Sequence, residues 1–277
     1  MVELRACAEA YAAGTVINAL STGKGSAFAL NIRTRVEVKE SRENMLISDG
    51  KKSRSQIVGE VLNRLGIERK FEVRVESDIP RGSGLGSSSA FVNALILALC
   101  RAEGIELEPV EVLRLNAKIS LKCGISYTGA MDDAAASLLG GFVITDNERM
   151  ELLRHDTDFN ESRAMILIPK WGRKNVSLEI MKRGNLNTVK LAFELAMKGH
   201  YCEAMKLNTE YCCSQLNYST KPVEIAEKAN LCAGLSGNGP AYVAYGNPEG
   251  MKKIIKEWSD FGRVILTTIP KKPCFGI

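Results

Sequence analysis

The sequence predicts an α+β fold in two parts, on three observations. A glycine- and serine-rich stretch at 79–90, IPRGSGLGSSSA, stands between a strand pattern and a helical one. Near Glu151 a polar segment separates these first elements from a second set. That second set mixes strands with helices and closes on an end strand, RVILTTIP, which suits a mixed α+β layer. The predicted domains are 1–155 and 156–277.

A chain of 277 residues buries a substantial core, and its 45% apolar and 25% charged residues are those of a globular protein. No run reaches the roughly 18 to 20 apolar residues of a membrane span, and no early stretch has the pattern of a secretory signal. The expectation is a soluble, cytoplasmic protein. The formal charge of +5, from 37 basic and 32 acidic residues, suits small anionic substrates. It argues against nucleic acid, which wants a concentrated basic patch with aromatic platforms. Lys51-Lys52-Ser53-Arg54 has no aromatic companion and reads as a solvated face; a second basic cluster spans Lys170 to Lys174. The 8 cysteines form no CxxC pair, and with only His155 and His200 present a zinc centre is not expected. They read as reduced, mostly buried thiols.

Along the chain, VELRACAEAYAAG reads as a strand of small residues that pack closely. GTVINALSTGKGSAFAL follows; low in bulk at Gly14, Gly23 and Gly25, it reads as a loop that comes close to something. NIRTRVEVKE then alternates as a strand. Lys24 either faces a substrate anion or is a surface charge. A Walker A loop is excluded, because Gly25 follows where Ser or Thr is needed. The stretch 40–50 is a connection with a short strand at 45–47. Ile57, Val61, Leu62 and Leu65 lie at helical spacing, ended by Gly66.

Phe71, Val73 and Val75 then share one face of a strand that leads into 79–90. There Gly82, Gly84 and Gly86 alternate before three serines that open a helical pattern. The amides of such a loop and helix start suit an anion; a Ser-capped helix behind a flexible loop is the plainer alternative. The next run, FVNALILALC, is apolar nearly all round and predicts a buried helix. Pro109 opens an amphipathic helix. Ser126 to Gly129 read as a loop, and Asp132 and Asp133 stand at the start of a short Ala-rich helix. Paired acids there are either ordinary helix-start residues or carboxylates that orient a hydroxyl or bind magnesium. GGFVIT and AMILIPK read as strands. Helices are expected near 176–181, 187–198, 201–216 and 221–230, followed by a Gly-rich turn between two strands in LCAGLSGNGPAYVAYG. MKKIIKEWSDFG gives the last helix. No internal repeat or low-complexity tract is present.

PRGSGLGSSSA at 80–90 resembles the second and most diagnostic motif of the GHMP kinases, the superfamily of galactokinase, homoserine kinase and mevalonate kinase. GLSGNGPA at 234–241 resembles their third motif, in the same order and spacing. AYAAGTVINALSTGKGSAFAL and SYTGAMDDAAASLLGG are similar to the archaeal-type shikimate kinase branch, which is unrelated in fold to P-loop shikimate kinases. The resemblance implies an N-terminal domain like the second domain of ribosomal protein S5, a ferredoxin-like C-terminal domain, and an active site between them.

It also implies an ATP phosphate cradle made by Pro80, Arg81, Gly82, Ser83, Gly84, Leu85, Gly86, Ser87, Ser88 and Ser89. Asp132 and Asp133 become the catalytic pair, and Ser88 and Asp132 hold Mg2+. The acceptor side is implied to include Thr15, Asn18, Lys24, Gly25, Ser26, Thr128 and Gly129, with Ser236, Gly237, Asn238 and Gly239 from the third motif. Lys24 or Arg81 would meet a substrate carboxylate or the phosphates. Two departures stand out. PGKVxLxGEH of many relatives is replaced by AAGTVINALST, and 113–123 contains no acid to match the magnesium-binding glutamate of mevalonate kinases. The implied reaction is transfer of the γ-phosphate of ATP to the 3-hydroxyl of shikimate, in aromatic amino acid biosynthesis. Another small hydroxylated acceptor such as homoserine or mevalonate, or a silent nucleotide-binding protein on this fold, is the alternative. Monomer and homodimer both remain open.

Overall fold

The computed structural model describes residues 4–160 and 162–274. The first two positions of the predicted N-terminal strand, 2 and 3, lie outside the described residues. Strands β1 (Arg5–Ile17) and β2 (Lys24–Ser41) form a long antiparallel pair, followed by β3 (Met45–Ser48), β4 (Lys51–Ser53), α1 (Gln56–Leu65) and β5 (Lys70–Ser77). The helices α2 (Ser87–Glu103), α3 (Pro109–Lys122) and α4 (Met131–Leu139) then precede β6 (Phe142–Asp146) and β7 (Glu151–Asp156). Beyond them run β8 (Arg163–Pro169), α5 (Leu178–Lys182), α6 (Leu186–Met197), α7 (Tyr201–Leu216) and α8 (Lys221–Lys228). The chain ends with β9 (Cys232–Leu235), β10 (Tyr242–Tyr245), α9 (Pro248–Phe261) and β11 (Gly262–Thr268).

Two sheets result. The first has seven strands in the order β4-β3-β5-β2-β6-β7, with β1 also paired to β2. Only its β3–β5 pair is parallel among the pairs described. The second is antiparallel, in the order β11-β8-β10-β9, built as β-α-β-β-α-β with several helices in its first crossover. The expected α+β architecture is therefore present. An aromatic cluster ties the two sheets together: Phe142 stacks on Phe28 at 5.2 Å and on Tyr201 at 4.6 Å, and Tyr245 of β10 meets it edge-on at 5.3 Å. Beyond β11 the chain returns to the first sheet's side, where Gly141 N–H donates to Pro270 O (2.7 Å) and Cys274 N–H to Leu138 O (3.1 Å).

The local signals hold in α1, which Ser55 caps at its start and Gly66, at φ +67°, ends. The apolar run becomes α2, whose Val92, Leu95, Ile96 and Leu99 are fully buried. A helix packed on so many sides holds its N-terminus rigidly.

Three expectations are corrected. The low-bulk stretch is strand almost throughout, with only 18–23 left as a turn. Gly14 pairs across β2 with Phe28, and a Cβ at Gly14 would come within 2.8 Å of that ring. Its bareness admits a cross-strand aromatic. Lys51–Ser53 is the solvated face expected, exposed along its length, and it pairs with β3 as β4. The polar segment after Glu151 begins with β7, whose residues alternate exposed and half-buried along the sheet edge. Finally, Cys202 and Cys232 form a disulfide between α7 and β9. Their 30-residue separation carries no local spacing signal. The buried free thiols agree with expectation: Cys100, Cys212, Cys213 and Cys274 are enclosed, and burial pushes Cys100 up to about 11. Among the described residues no helix is long and apolar enough to cross a membrane.

Candidate active site

Two helix starts and a turn enclose one cavity of about 390 Å³. On one side lies α2. Its N-terminal flank is Gly86 at φ +67°, and no side chain caps the helix, so the first-turn amides are left to a ligand rather than to a serine hydroxyl. Gly82 and Gly84 before it also have positive φ, +69° and +85°, where an L side chain would be strained. The alternation in the sequence is thus a conformational requirement. Gly84 is needed for space as well, because a Cβ there would overlap the Ser236 carbonyl.

That overlap reflects how the glycine loop locks into the 236–240 turn. Ser236 Oγ donates to Gly84 O (2.8 Å), Ala241 N–H to Ser83 O (3.0 Å), and Ala13 N–H of β1 to Leu85 O (3.1 Å). Thr15 joins the same knot: its N–H donates to Ser236 Oγ (3.3 Å), and its Oγ1 accepts from Gly237 N–H (2.7 Å). Asn18 Nδ2 donates to Gly237 O and to Asn238 Oδ1, each at 2.9 Å. Asn208 of α7 accepts the Asn18 amide N–H at 3.0 Å. Segments more than 200 residues apart in sequence thus share one hydrogen-bond network.

The second helix start is α4. Ala130 precedes it at φ +48°, an unusual backbone for a residue other than glycine, again with no side-chain cap. Asp132 and Asp133 occupy its first turn. Asp132 is buried, 5% exposed, and burial raises its pKa. Hydrogen bonds from Asn147 and from the amides of Asp132 and Asp133 pull it back down. The Asn147 bond is 2.9 Å long, from Nδ2 to Oδ1, and Thr145 Oγ1 orients that amide by donating to Asn147 Oδ1 (2.7 Å). Gly25 of β2 lies directly beneath; a Cβ there would overlap the Asp132 carboxylate. Burial, and next the charge of Asp132, hold Asp133 well above the usual carboxylate range.

Of the residues expected at the site, Thr15, Asn18, Gly82, Gly84 to Ser89, Thr128, Asp132, Asp133, Gly237 and Asn238 line this cavity. Others shape it from behind. Ser83 Oγ donates to Pro80 O (2.6 Å), bracing the loop, and Gly129 packs on Ala117. Gly239 sits against the Tyr218 ring and Ser236 is wholly buried. Ser26 spends its hydroxyl on Val143 O (2.8 Å) inside the sheet. The two basic candidates lie elsewhere: Arg81 pairs with Asp49 (3.0 Å) and Ser48, and Lys24 Nζ sits 4.9 Å from the Phe193 ring centre.

Sequence reasoning missed Asn147, Tyr127 and Arg173 as site residues. Asn147 is a single amide after β6 with no motif around it. Arg173 lies in the basic cluster after β8, which contains an aromatic residue, Trp171, as the Lys51 cluster does not.

Comparison with known proteins accords with this geometry. The family model for the GHMP kinases N terminal domain matches residues 54–141. The structure of the Methanococcus jannaschii mevalonate kinase superposes with a TM-score of 0.72 at 18% identity, covering 95% of this chain and 98% of that one. The fold and the matched domain are those of the GHMP kinases. A shikimate kinase of Archaeoglobus fulgidus is 49% identical over 96% of this chain and 93% of its own length. One of Methanocella arvoryzae is 38% identical over 96% and 94%. The chain belongs to the archaeal-type shikimate kinase family of the GHMP superfamily.

Proposed function

We propose that this chain transfers the γ-phosphoryl group of ATP to the 3-hydroxyl of shikimate, yielding shikimate 3-phosphate and ADP. The observation that carries this reading is the convergence, on one cavity, of an uncapped α2 start with the Asp132 carboxylate. Relatives named shikimate kinase over nearly the full length support the choice of acceptor.

The transfer asks for positioning and for charge stabilisation more than for covalent chemistry. The amides of Gly82 to Ser88 and the α2 dipole hold the phosphates, with donors already oriented by the knot to the 236–240 turn. Asp132 accepts a hydrogen bond from the attacking hydroxyl. A free carboxylate is a weak base for an alcohol, so Asp132 first aims the oxygen and takes the proton as the P–O bond forms. Asn147 and Gly25 keep its carboxylate in place. The bond from the γ-phosphorus to the bridging oxygen breaks, and ADP leaves.

Mg2+ binds through one or two carboxylates together with substrate phosphates. Asp132, Asp133 and the Ser88 hydroxyl furnish a hard oxygen set of that kind, and no cluster of three or more His, Cys, Asp or Glu suited to a metal occurs among the described residues. When bound, the ion would offset negative charge on the transferring group. A division into domains 1–155 and 156–277 is supported by the sheets: strands of the first end by Asp156 and those of the second begin at Arg163 or later.

The test is ADP release from ATP and Mg2+ with shikimate, homoserine, mevalonate and galactose. Shikimate is expected to turn over fastest. Turnover of homoserine or mevalonate without shikimate would overturn the acceptor and keep the class.

A further inference from the structure

We propose that Arg173 is the residue that selects the acceptor, by pairing its guanidinium with the acceptor's carboxylate. This deepens, and rests on, the reading of the acceptor as shikimate. The cavity holds two acids, Asp132 and Asp133, and an incoming carboxylate needs an opposite charge to enter beside them. Among the described residues Arg173 is the only basic side chain on the cavity wall. Lys24 and Arg81 are turned to Phe193 and Asp49.

Arg173 is also uncommitted. Its guanidinium makes no ion pair or hydrogen bond among the described residues, so all five of its N–H donors are available. Yet the backbone that carries it is fixed on both sides. Lys174 N–H donates to Tyr218 Oη (2.8 Å), and Tyr127 Oη donates to Val176 O (3.4 Å). Before it, Trp171 packs edge-on against Tyr242 (6.0 Å from Phe261, 6.3 Å from Tyr242). These anchors belong to the site itself: Tyr218 supports Gly239 of the 236–240 turn, and Tyr127 lines the cavity. An unpaired arginine on a tethered segment at the mouth of an acidic cavity matches a planar carboxylate in two-point contact, which lysine would not reproduce.

The test compares wild type with Arg173→Met and Arg173→Lys, on shikimate and on its methyl ester, with ADP release as readout. Arg173 is exposed, so its removal leaves the fold intact. Arg173→Met is expected to raise KM for shikimate about 10- to 100-fold, as loss of a charge-assisted pair does. KM for ATP stays within about twofold, and Arg173→Lys falls between. On the ester, which has no charge to pair, wild type and Arg173→Met differ by less than about threefold. Lys252→Met, which removes an exposed cation of α9 outside the cavity wall, leaves both constants unchanged. A fall in kcat with shikimate KM unaltered would place Arg173 on the transferring phosphoryl group and overturn the proposal. Equal losses on acid and ester would overturn it too. If wild type phosphorylates shikimate and Arg173→Met behaves like it, the acceptor reading stands and this inference fails; if wild type does not accept shikimate, both fail.

Discussion

The two helix starts that face the cavity use one backbone device for opposite purposes. Both α2 and α4 begin after a residue with positive φ, Gly86 at +67° and Ala130 at +48°, and neither carries a side-chain cap. Each helix end therefore presents bare amides and the positive end of its dipole. In α2 the first turn holds Ser87, Ser88 and Ser89, and the field is left for an external anion. In α4 the first turn holds Asp132 and Asp133, so part of that field is spent on the protein's own carboxylate. In the proposed reaction, one helix end would attract the phosphate donor, while the other would hold a negative group toward the attacking hydroxyl. The difference lies in first-turn side chains, not in backbone geometry.

Removing the carboxylate from α4 is the largest break in this comparison. Asp132→Asn should lower kcat about 10²- to 10⁴-fold while ATP KM changes little, measured by steady-state ADP release. Giving α2 the character of α4 comes next. Ser88→Asp places a negative charge where phosphate would bind, and should raise ATP KM about 10- to 100-fold with a smaller change for the acceptor. Equal KM values for the variant and wild type would show that the phosphates do not sit at α2. A subtler change displaces the acid without removing it. Gly25→Ala pushes on the Asp132 carboxylate from β2 and should cost about tenfold in kcat, with nucleotide affinity, read by calorimetry, unaltered. The smallest effect is expected for Asn147→Ala, which frees the carboxylate to rotate; about a three- to tenfold loss in kcat should appear without change in melting temperature beyond a few degrees.

The glycine loop was readable because its requirement is local. Alternating glycines before a helical run announce positive φ, and Gly82, Gly84 and Gly86 adopt it. The Asp132-Asp133 pair was visible for a related reason, since adjacent acids at a helix start are a local pattern with two readings. The low-bulk stretch misled at Gly14 and Gly25, because small residues mark close approach without saying whether a loop or a strand makes it. Here both lie in strands, one under Phe28 and the other under Asp132. β7 was hidden because an edge strand with alternate residues in solvent tolerates Arg154, His155 and Asp156. Lys24 and Arg81 drew notice by sitting next to motifs, but long side chains reach in directions that adjacency does not specify.

From the order of residues alone follow the helix starts, the positive-φ glycines, the α+β pattern and the presence of a glycine cradle of bare amides, all of which depend on backbone preferences and apolar period over a few positions. Tertiary structure alone decides what meets the cradle. Thr15, Asn18 and Gly237 meet through pairings across more than 200 residues, Asn147 reaches Asp132 only because β6 ends beside α4, and Arg173 reaches the cavity only because two tyrosines tie its segment there. Such contacts depend on how sheets and helices pack, and packing is a property of the whole chain that no short window of sequence contains.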